Sequence, residues 1–208
     1  HFMGVIAVDT EQDELGLRSV RARAAEEVEE NLQRALVESV FQGEVRVKTG
    51  ALGNAALVET VARVMREWPE VPVVVDPVHQ ASRKHADAPD LLDAKGWQSM
   101  CAELFPLASL VTPNAQEFGD GSAFQAARAV LVTGGDSAQG DEVIDSLHLE
   151  GKERLFRATK LIGGEQLHGT GCRLAAAIAC SYSERTGLIR AIEHGRAALR
   201  AWMQSKLA

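Results

Sequence analysis

The chain has 208 residues, 46% of them hydrophobic and 25% charged, with a formal net charge of −7 at pH 7. That length suits one α/β domain with a full core, and the acidic balance excludes a surface built chiefly for nucleic acid, which needs clustered Lys and Arg. No apolar run approaches the roughly 20 residues of a bilayer span and no signal peptide opens the sequence, while three cysteines without zinc or CxxC spacing suggest reduced thiols and a cytoplasmic enzyme.

Met3–Val8 predicts a buried strand. The stretch 24–40 sets Ala25, Val28, Leu32, Ala35, Leu36 and Val40 on one stripe, with Glu26, Glu27, Glu29, Glu30 and Arg34 on the other face, which is the period of an amphipathic helix. A short strand over 45–48 precedes a turn at Gly50–Gly53, and Asn54 stands as N-cap to a helix over 55–68. The continuous apolar run 72–75 is that of a parallel strand covered on both faces. A helix over 92–105, a strand over 109–112 stopped by Pro113, a partly helical 116–128 and a strand over 129–133 ended by Gly134-Gly135 follow. A hairpin then turns at Glu150-Gly151-Lys152, and two helices, 172–186 and 188–206, close the chain. Strands and helices alternate, with an antiparallel addition late in the chain. The expected architecture is a three-layer α/β/α sandwich on a mostly parallel central sheet.

In such sheets the ligand crevice lies at the carboxyl ends of the strands. Polar or glycine residues follow each predicted strand there: Asp9, Thr49-Gly50, Asp76-Pro77, Pro113-Asn114 and Gly134-Gly135. The stretch His168-Gly169-Thr170-Gly171-Cys172 places two glycines around a hydroxyl residue where a helical pattern begins. Such a loop aims backbone N–H groups at one point, and the helix terminus adds positive potential suited to an anion. Cys172 falls in the first helical turn, where a thiolate is favoured; the alternative is a small core residue, the reading given to Cys101 and Cys180. His79 and His85 are expected on a solvated flap after Asp76-Pro77, and His194 on a helix surface.

The order of these motifs resembles the ribokinase-like superfamily, and within it the hydroxymethylpyrimidine and phosphomethylpyrimidine kinases. The matching pieces are Val47-Lys48-Thr49-Gly50-Ala51-Leu52-Gly53, Val74-Val75-Asp76-Pro77-Val78, Thr112-Pro113-Asn114-Ala115-Gln116-Glu117, Val132-Thr133-Gly134-Gly135 and the loop ending in Cys172. Cysteine at that place is the most specific element, since most of the superfamily carries aspartate there. The resemblance implies one ribokinase-like kinase domain over 1–208, transferring the γ-phosphoryl group of ATP to a pyrimidine alcohol or its phosphate with Mg²⁺. It implies Gly169, Thr170 and Gly171 as the anion hole and Cys172 as catalytic base, its pKa lowered toward neutrality by the helix terminus. Asn114, Thr133, Gly135 and His168 are implied at the nucleotide, His168 alternatively bonding a nearby carbonyl. Glu117 and Asp76 are implied at the metal, and Gln12, Ala51 and His79 at the pyrimidine.

Several positions depart from the pattern. Ala51 and His79 stand where the family has methionines, Ser82-Arg83 where it has Lys-Ser, Thr133 where it has lysine before Gly-Gly, and Arg173 where threonine is typical. The family's opening strand and Gly-rich segment have no counterpart, and the chain between Glu117 and Ala129 is about 20 residues shorter, so residues are expected to be missing in both places. Other readings are a pyridoxal-type vitamin kinase and a non-catalytic homologue that binds a thiamine precursor. The resemblance allows a homodimer, for which the sequence carries no mark of its own, and gives no role to nucleic acid or membrane.

Overall fold

The structure is a computed structural model that describes residues 2–81, 83–135 and 140–207, so Ser82 lies outside the described residues. The chain divides into two compact units. One holds the residues up to Val45, Thr49–Val71 and Pro77–Leu107; the other holds Arg46–Lys48, Pro72–Asp76 and the chain from Ala108 onward.

The first unit opens with an antiparallel hairpin, β1 (Val8–Asp13) and β2 (Gly16–Ala22). The strand expected over Met3–Val8 is not formed: residues 2–7 have no regular structure, and pairing begins where Val8 faces Ala22. Apolar alternation fails as a guide here because ionic contacts support the hairpin. Asp9 pairs with Arg21 and Arg23, and Asp13 with Arg18. At the turn, Asp13 Oδ1 accepts the Leu15 and Gly16 N–H groups at 2.9 and 3.2 Å. Gly16 has φ +126°, and a Cβ there would overlap the Arg83 backbone, which explains glycine at this close approach.

Helix α1 (Ala25–Val40) buries Val28 and Leu36, but Val40, expected on the apolar stripe, is exposed. Helix α2 (Ala55–Glu67) starts at Asn54, whose side chain accepts the Leu57 N–H at 3.0 Å. Its inward face carries Leu57, Val58, Val61, Val64 and Met65. The helix expected over 92–105 is regular only in α3 (Ala94–Ser99). It widens into a π-turn over Met100–Leu104 and tightens into a 3-10 turn at Phe105–Leu107. Pro106 has no N–H for the carbonyl four residues back, so the regular ladder cannot run through it.

The second unit holds a six-stranded sheet in the order β3 (Val47–Thr49), β4 (Val73–Val75), β5 (Leu110–Val111), β6 (Ala129–Val132), β7 (Glu142–Leu149), β8 (Lys152–Thr159). β4, β5 and β6 are parallel, and β6, β7 and β8 antiparallel, as the sequence pattern predicts. The β7–β8 turn has Glu150 at φ 52° and Gly151 at φ 71°; two consecutive positive φ values match the right-handed twist of a hairpin. Helices α5 (Thr170–Ser181) and α6 (Leu188–Leu207) belong to the same unit. One apolar cluster joins Val74, Leu110, Leu131, Leu147 and Phe156 of the sheet to Leu174, Ile178 and Ile192 of these helices. Cys180 is exposed rather than part of that core, and Cys101 is half-buried.

Candidate active site

The parallel strands β4, β5 and β6 bring their carboxyl ends to one edge of the sheet, and the polar residues after them meet there. Asp76, directly after β4, is 5% exposed. Lys48 Nζ, from β3, donates to its Oδ2 at 2.9 Å. The Lys48 pairing was missed in the sequence, where Lys48 was read only as part of a strand end. After β5, Asn114 caps the short helix α4 (Ala115–Phe118) through a reciprocal capping box. The Glu117 N–H donates to Asn114 Oδ1 at 2.8 Å, and the Asn114 N–H to Glu117 Oε2 at 2.9 Å. After β6, the Thr133 N–H donates to the Pro113 carbonyl at 2.8 Å, so Asn114 and Thr133 stand side by side.

Helix α5 supplies the loop that drew attention in the sequence. Gly169 is its N-cap in the left-handed region, φ 73°, with no side-chain capping bond. The Arg173 N–H makes an early helical bond, to Gly169 O at 2.9 Å, so the N–H groups of Thr170, Gly171 and Cys172 come before the ladder and remain available to an anion. A Cβ added at Gly169 or Gly171 would meet nothing within 4 Å. The mouth of the helix is open.

Cys172 differs electrostatically from its expectation. Its thiol is pushed up to about 12, first by desolvation, then by the charge of Asp76 and a hydrogen bond to that carboxylate, with Glu117 adding to the same direction. The residue keeps solvent contact, yet enough protein surrounds the sulfur for desolvation to lead. Lys48 acts the other way. Desolvation and two nearby carboxylates together outweigh the helix terminus, so the free protein holds a thiol rather than a thiolate. The same causes show what the fold has assembled: Lys48, Asp76 and Glu117 all act on the Cys172 thiol, and Lys48 pairs with Asp76.

Gly135 and His168 are exposed, Thr133 half-buried. The Gly134 N–H donates to Asp145 Oδ1 at 2.8 Å, and Asp145 Oδ2 lies 3.1 Å from Arg196 Nε; neither side chain was singled out in the sequence. The three residues expected at the pyrimidine all belong to the first unit. Gln12 is exposed on β1, its amide donating to Thr10 Oγ1 at 3.2 Å. Ala51 is half-buried in the segment before α2, two residues after Thr49, whose buried hydroxyl has no hydrogen-bond partner. His79 stacks on Trp97 with ring centroids 5.4 Å apart, and His85 Nε2 lies 2.9 Å from Asp13 Oδ1. These histidines are packed and partnered rather than merely solvated.

A metal site has the chemistry of oxygen donors here. Among the described residues, no three His, Cys, Asp or Glu side chains gather to cage an ion by themselves. A cation that keeps several waters and takes its remaining ligands from phosphate needs only one or two carboxylates, and Asp76 and Glu117, both near enough to raise the Cys172 thiol, fit that need.

Three comparisons bear on this geometry. The family model described as phosphomethylpyrimidine kinase matches residues 1–120 and 121–208. A hydroxymethylpyrimidine/phosphomethylpyrimidine kinase of Streptomyces coelicolor is 34% identical over 200 residues, 88% of this chain and 71% of that protein. A chloroplastic thiamine biosynthetic bifunctional enzyme of Arabidopsis thaliana is 30% identical over 208 residues, 91% of this chain but only 38% of that longer protein. Among solved structures, a pyridoxal kinase from Staphylococcus aureus in complex with pyridoxal superposes with a TM-score of 0.78 over 97% of this chain and 76% of that one. At 20% identity it establishes the fold, the ribokinase-like α/β architecture expected from the motif order.

Proposed function

This chain belongs to the phosphomethylpyrimidine kinase family, and from that premise we propose that it moves the γ-phosphoryl group of ATP onto hydroxymethylpyrimidine, its monophosphate, or both, in thiamine biosynthesis in the cytoplasm. The observation that carries this reading is the uncapped N-terminus of α5, open at Gly169 and Gly171 and ending on Cys172 beside Asp76 and Lys48. Both units are read as parts of one kinase domain, with the phosphate-handling residues in the second.

Phosphoryl transfer asks the protein for alignment and charge stabilisation more than for covalent chemistry. The N–H groups of Gly169, Thr170 and Gly171 line the anion hole, fixed before the reaction so that no reorganisation is needed as charge develops. Thr133, Gly135, Asn114 and His168 face the nucleotide. Mg²⁺ would be held by Glu117 and Asp76 together with phosphate oxygens; when bound it supplies positive charge that offsets the phosphates and the two carboxylates. Lys48 holds Asp76 in place and contributes its own positive charge beside Cys172. Cys172 can act as base only as thiolate. Its own proton first leaves to solvent, which the positive charges of Lys48 and of a bound Mg²⁺ would favour by offsetting Asp76 and Glu117. The thiolate sulfur then takes the proton of the attacking hydroxyl. Gln12, Ala51 and His79, of the first unit, are read as the residues for the acceptor, with alanine and histidine in place of two methionines of the family pattern.

Incubation with ATP, Mg²⁺ and either hydroxymethylpyrimidine or pyridoxal tests the reading directly. Transfer to the pyrimidine, lost on chelation of the metal and reduced about 100-fold or more in Cys172→Ala as expected for a removed general base, is the expected result. Transfer to pyridoxal alone would reassign the acceptor. Tight pyrimidine binding with no transfer would make the chain a binding homologue.

A further inference from the structure

We propose that Asp145 is a positioning residue for the nucleotide, holding the Gly134-Gly135 turn from behind while Arg196 of α6 fixes its carboxylate. This rests on the reading that the turn faces ATP. The two carboxylate oxygens are divided between two tasks. Oδ1 accepts the Gly134 N–H at 2.8 Å, and Oδ2 lies 3.1 Å from Arg196 Nε. The Asp145 side chain is 6% exposed and that of Arg196 16%, so the chain of contacts is shielded from water.

The register of the sheet explains why a side chain is used at this point. The β6–β7 ladder ends with Val132 facing Ser146. Continued by two residues, it sets Gly134 against Ile144, and there a Cβ on Gly134 would overlap the Ile144 carbonyl oxygen. The backbone of Gly134 therefore lies hard against β7, and its N–H is taken by the next side chain along that strand. On its other flank the turn is tied to β5, because the Thr133 N–H donates to the Pro113 carbonyl. Gly135 is left exposed, with open space where a side chain would stand. A loop pinned on both flanks and open in front presents its backbone to a ligand with little freedom to lose.

Arg196 is itself placed by packing, its guanidinium 5.6 Å from the centre of the Phe156 ring. Burial pushes the Asp145 carboxyl up, while the Gly134 N–H and Arg196 oppose that shift. A buried carboxylate–guanidinium pair is often no more stabilising than apolar residues of the same volume. The geometry it imposes on the turn is then its distinguishing contribution.

Steady-state kinetics on the full chain, varying ATP and hydroxymethylpyrimidine separately, tests this. Loss of a charge-assisted hydrogen bond to the turn predicts that Asp145→Ala raises the KM for ATP by about tenfold. The KM for the pyrimidine should stay within about twofold. Asp145→Asn keeps one oxygen for the Gly134 N–H but turns its NH2, a donor, toward Arg196, and should recover part of the loss. Arg196→Met, which frees the carboxylate to move, should raise the KM for ATP by about threefold. If Asp145→Ala does not fold, Arg196→Met decides. An unchanged KM for ATP in the folded Asp145→Ala, an Asp145→Asn as impaired as Asp145→Ala, a parallel rise for both substrates, or an Arg196→Met with normal ATP kinetics overturns the proposal. Gly135→Val separates it from its premise. If that bulk in front of the turn leaves ATP binding by calorimetry unaltered, the turn does not face the nucleotide and both readings fall. If ATP binding weakens in Gly135→Val but not in Asp145→Ala, only the role of Asp145 falls.

Discussion

Cys172 illustrates how a residue's chemistry depends on neighbours distant in sequence. Position in the first turn of α5 favours a thiolate, but desolvation first, and then Asp76 and Glu117, oppose it and push the thiol up to about 12. Thiolate is the form that reacts with alkylating agents. In metal-free buffer at pH 8, iodoacetamide should therefore label Cys172 at least about tenfold more slowly than the same cysteine in the urea-unfolded chain; equal rates, followed by peptide mass analysis, would show that the folded surroundings do not hold the thiol up. The places of Cys172 in the first turn of α5, of Asp76 after β4 and of Asn114 and Glu117 in a capping box were legible because each sits in a short motif that reads locally. Lys48 and the Asp145–Arg196 pair were not. A lysine on a strand and an arginine in an amphipathic helix look like ordinary surface charges until pairing of strands and helix packing bury them against a carboxylate.

At the scale of elements, the local rules served best where one face of a helix or both faces of a strand are apolar. α2, with Asn54 as its cap, and the buried strands β4 to β6 came close to their expected limits. The β1–β2 hairpin escaped because Asp9, Asp13 and their arginines support it, leaving no period-2 pattern. Helix packing carries its own constraint at Gly195 of α6, where a Cβ would lie 2.5 Å from Ile178 Cγ1 and 3.0 Å from the Ile178 backbone nitrogen. Gly195→Ala must push α6 off α5, and overpacking of this kind costs about 1–3 kcal/mol. Because about 1 kcal/mol shifts a domain of this size by roughly 2–4 °C, thermal unfolding should fall by several degrees. An unchanged melting temperature would mean that the two helices yield without cost.

Among the described residues, charge pairing is unevenly spread, and most of the pairs lie in the first unit. Arg23 holds Asp9 below the usual carboxylate range, His85 holds Asp13, Arg63 holds Glu29 and Lys84 holds Asp90. A carboxylate with a lower pKa folded than unfolded adds stability that is present above the unfolded value, near 4, and lost as pH falls through the folded one. The urea midpoint should hold from pH 7 to about 5 and then drop steadily toward pH 2; a flat profile would show these exposed pairs to be energetically idle, as many surface pairs are. Sequence alone determined the alternation of strands and helices, the antiparallel addition and the glycine loop at the start of α5, because apolar period, glycine conformation and helix capping are set within a few residues. Tertiary structure alone decided which charges meet. Lys48 reaches Asp76, two carboxylates reach Cys172, and Arg196 reaches Asp145 only when the sheet and its helices have packed. Those encounters fix protonation and the set of the Gly134-Gly135 turn, since electrostatic effects follow distance in space and burial rather than order along the chain.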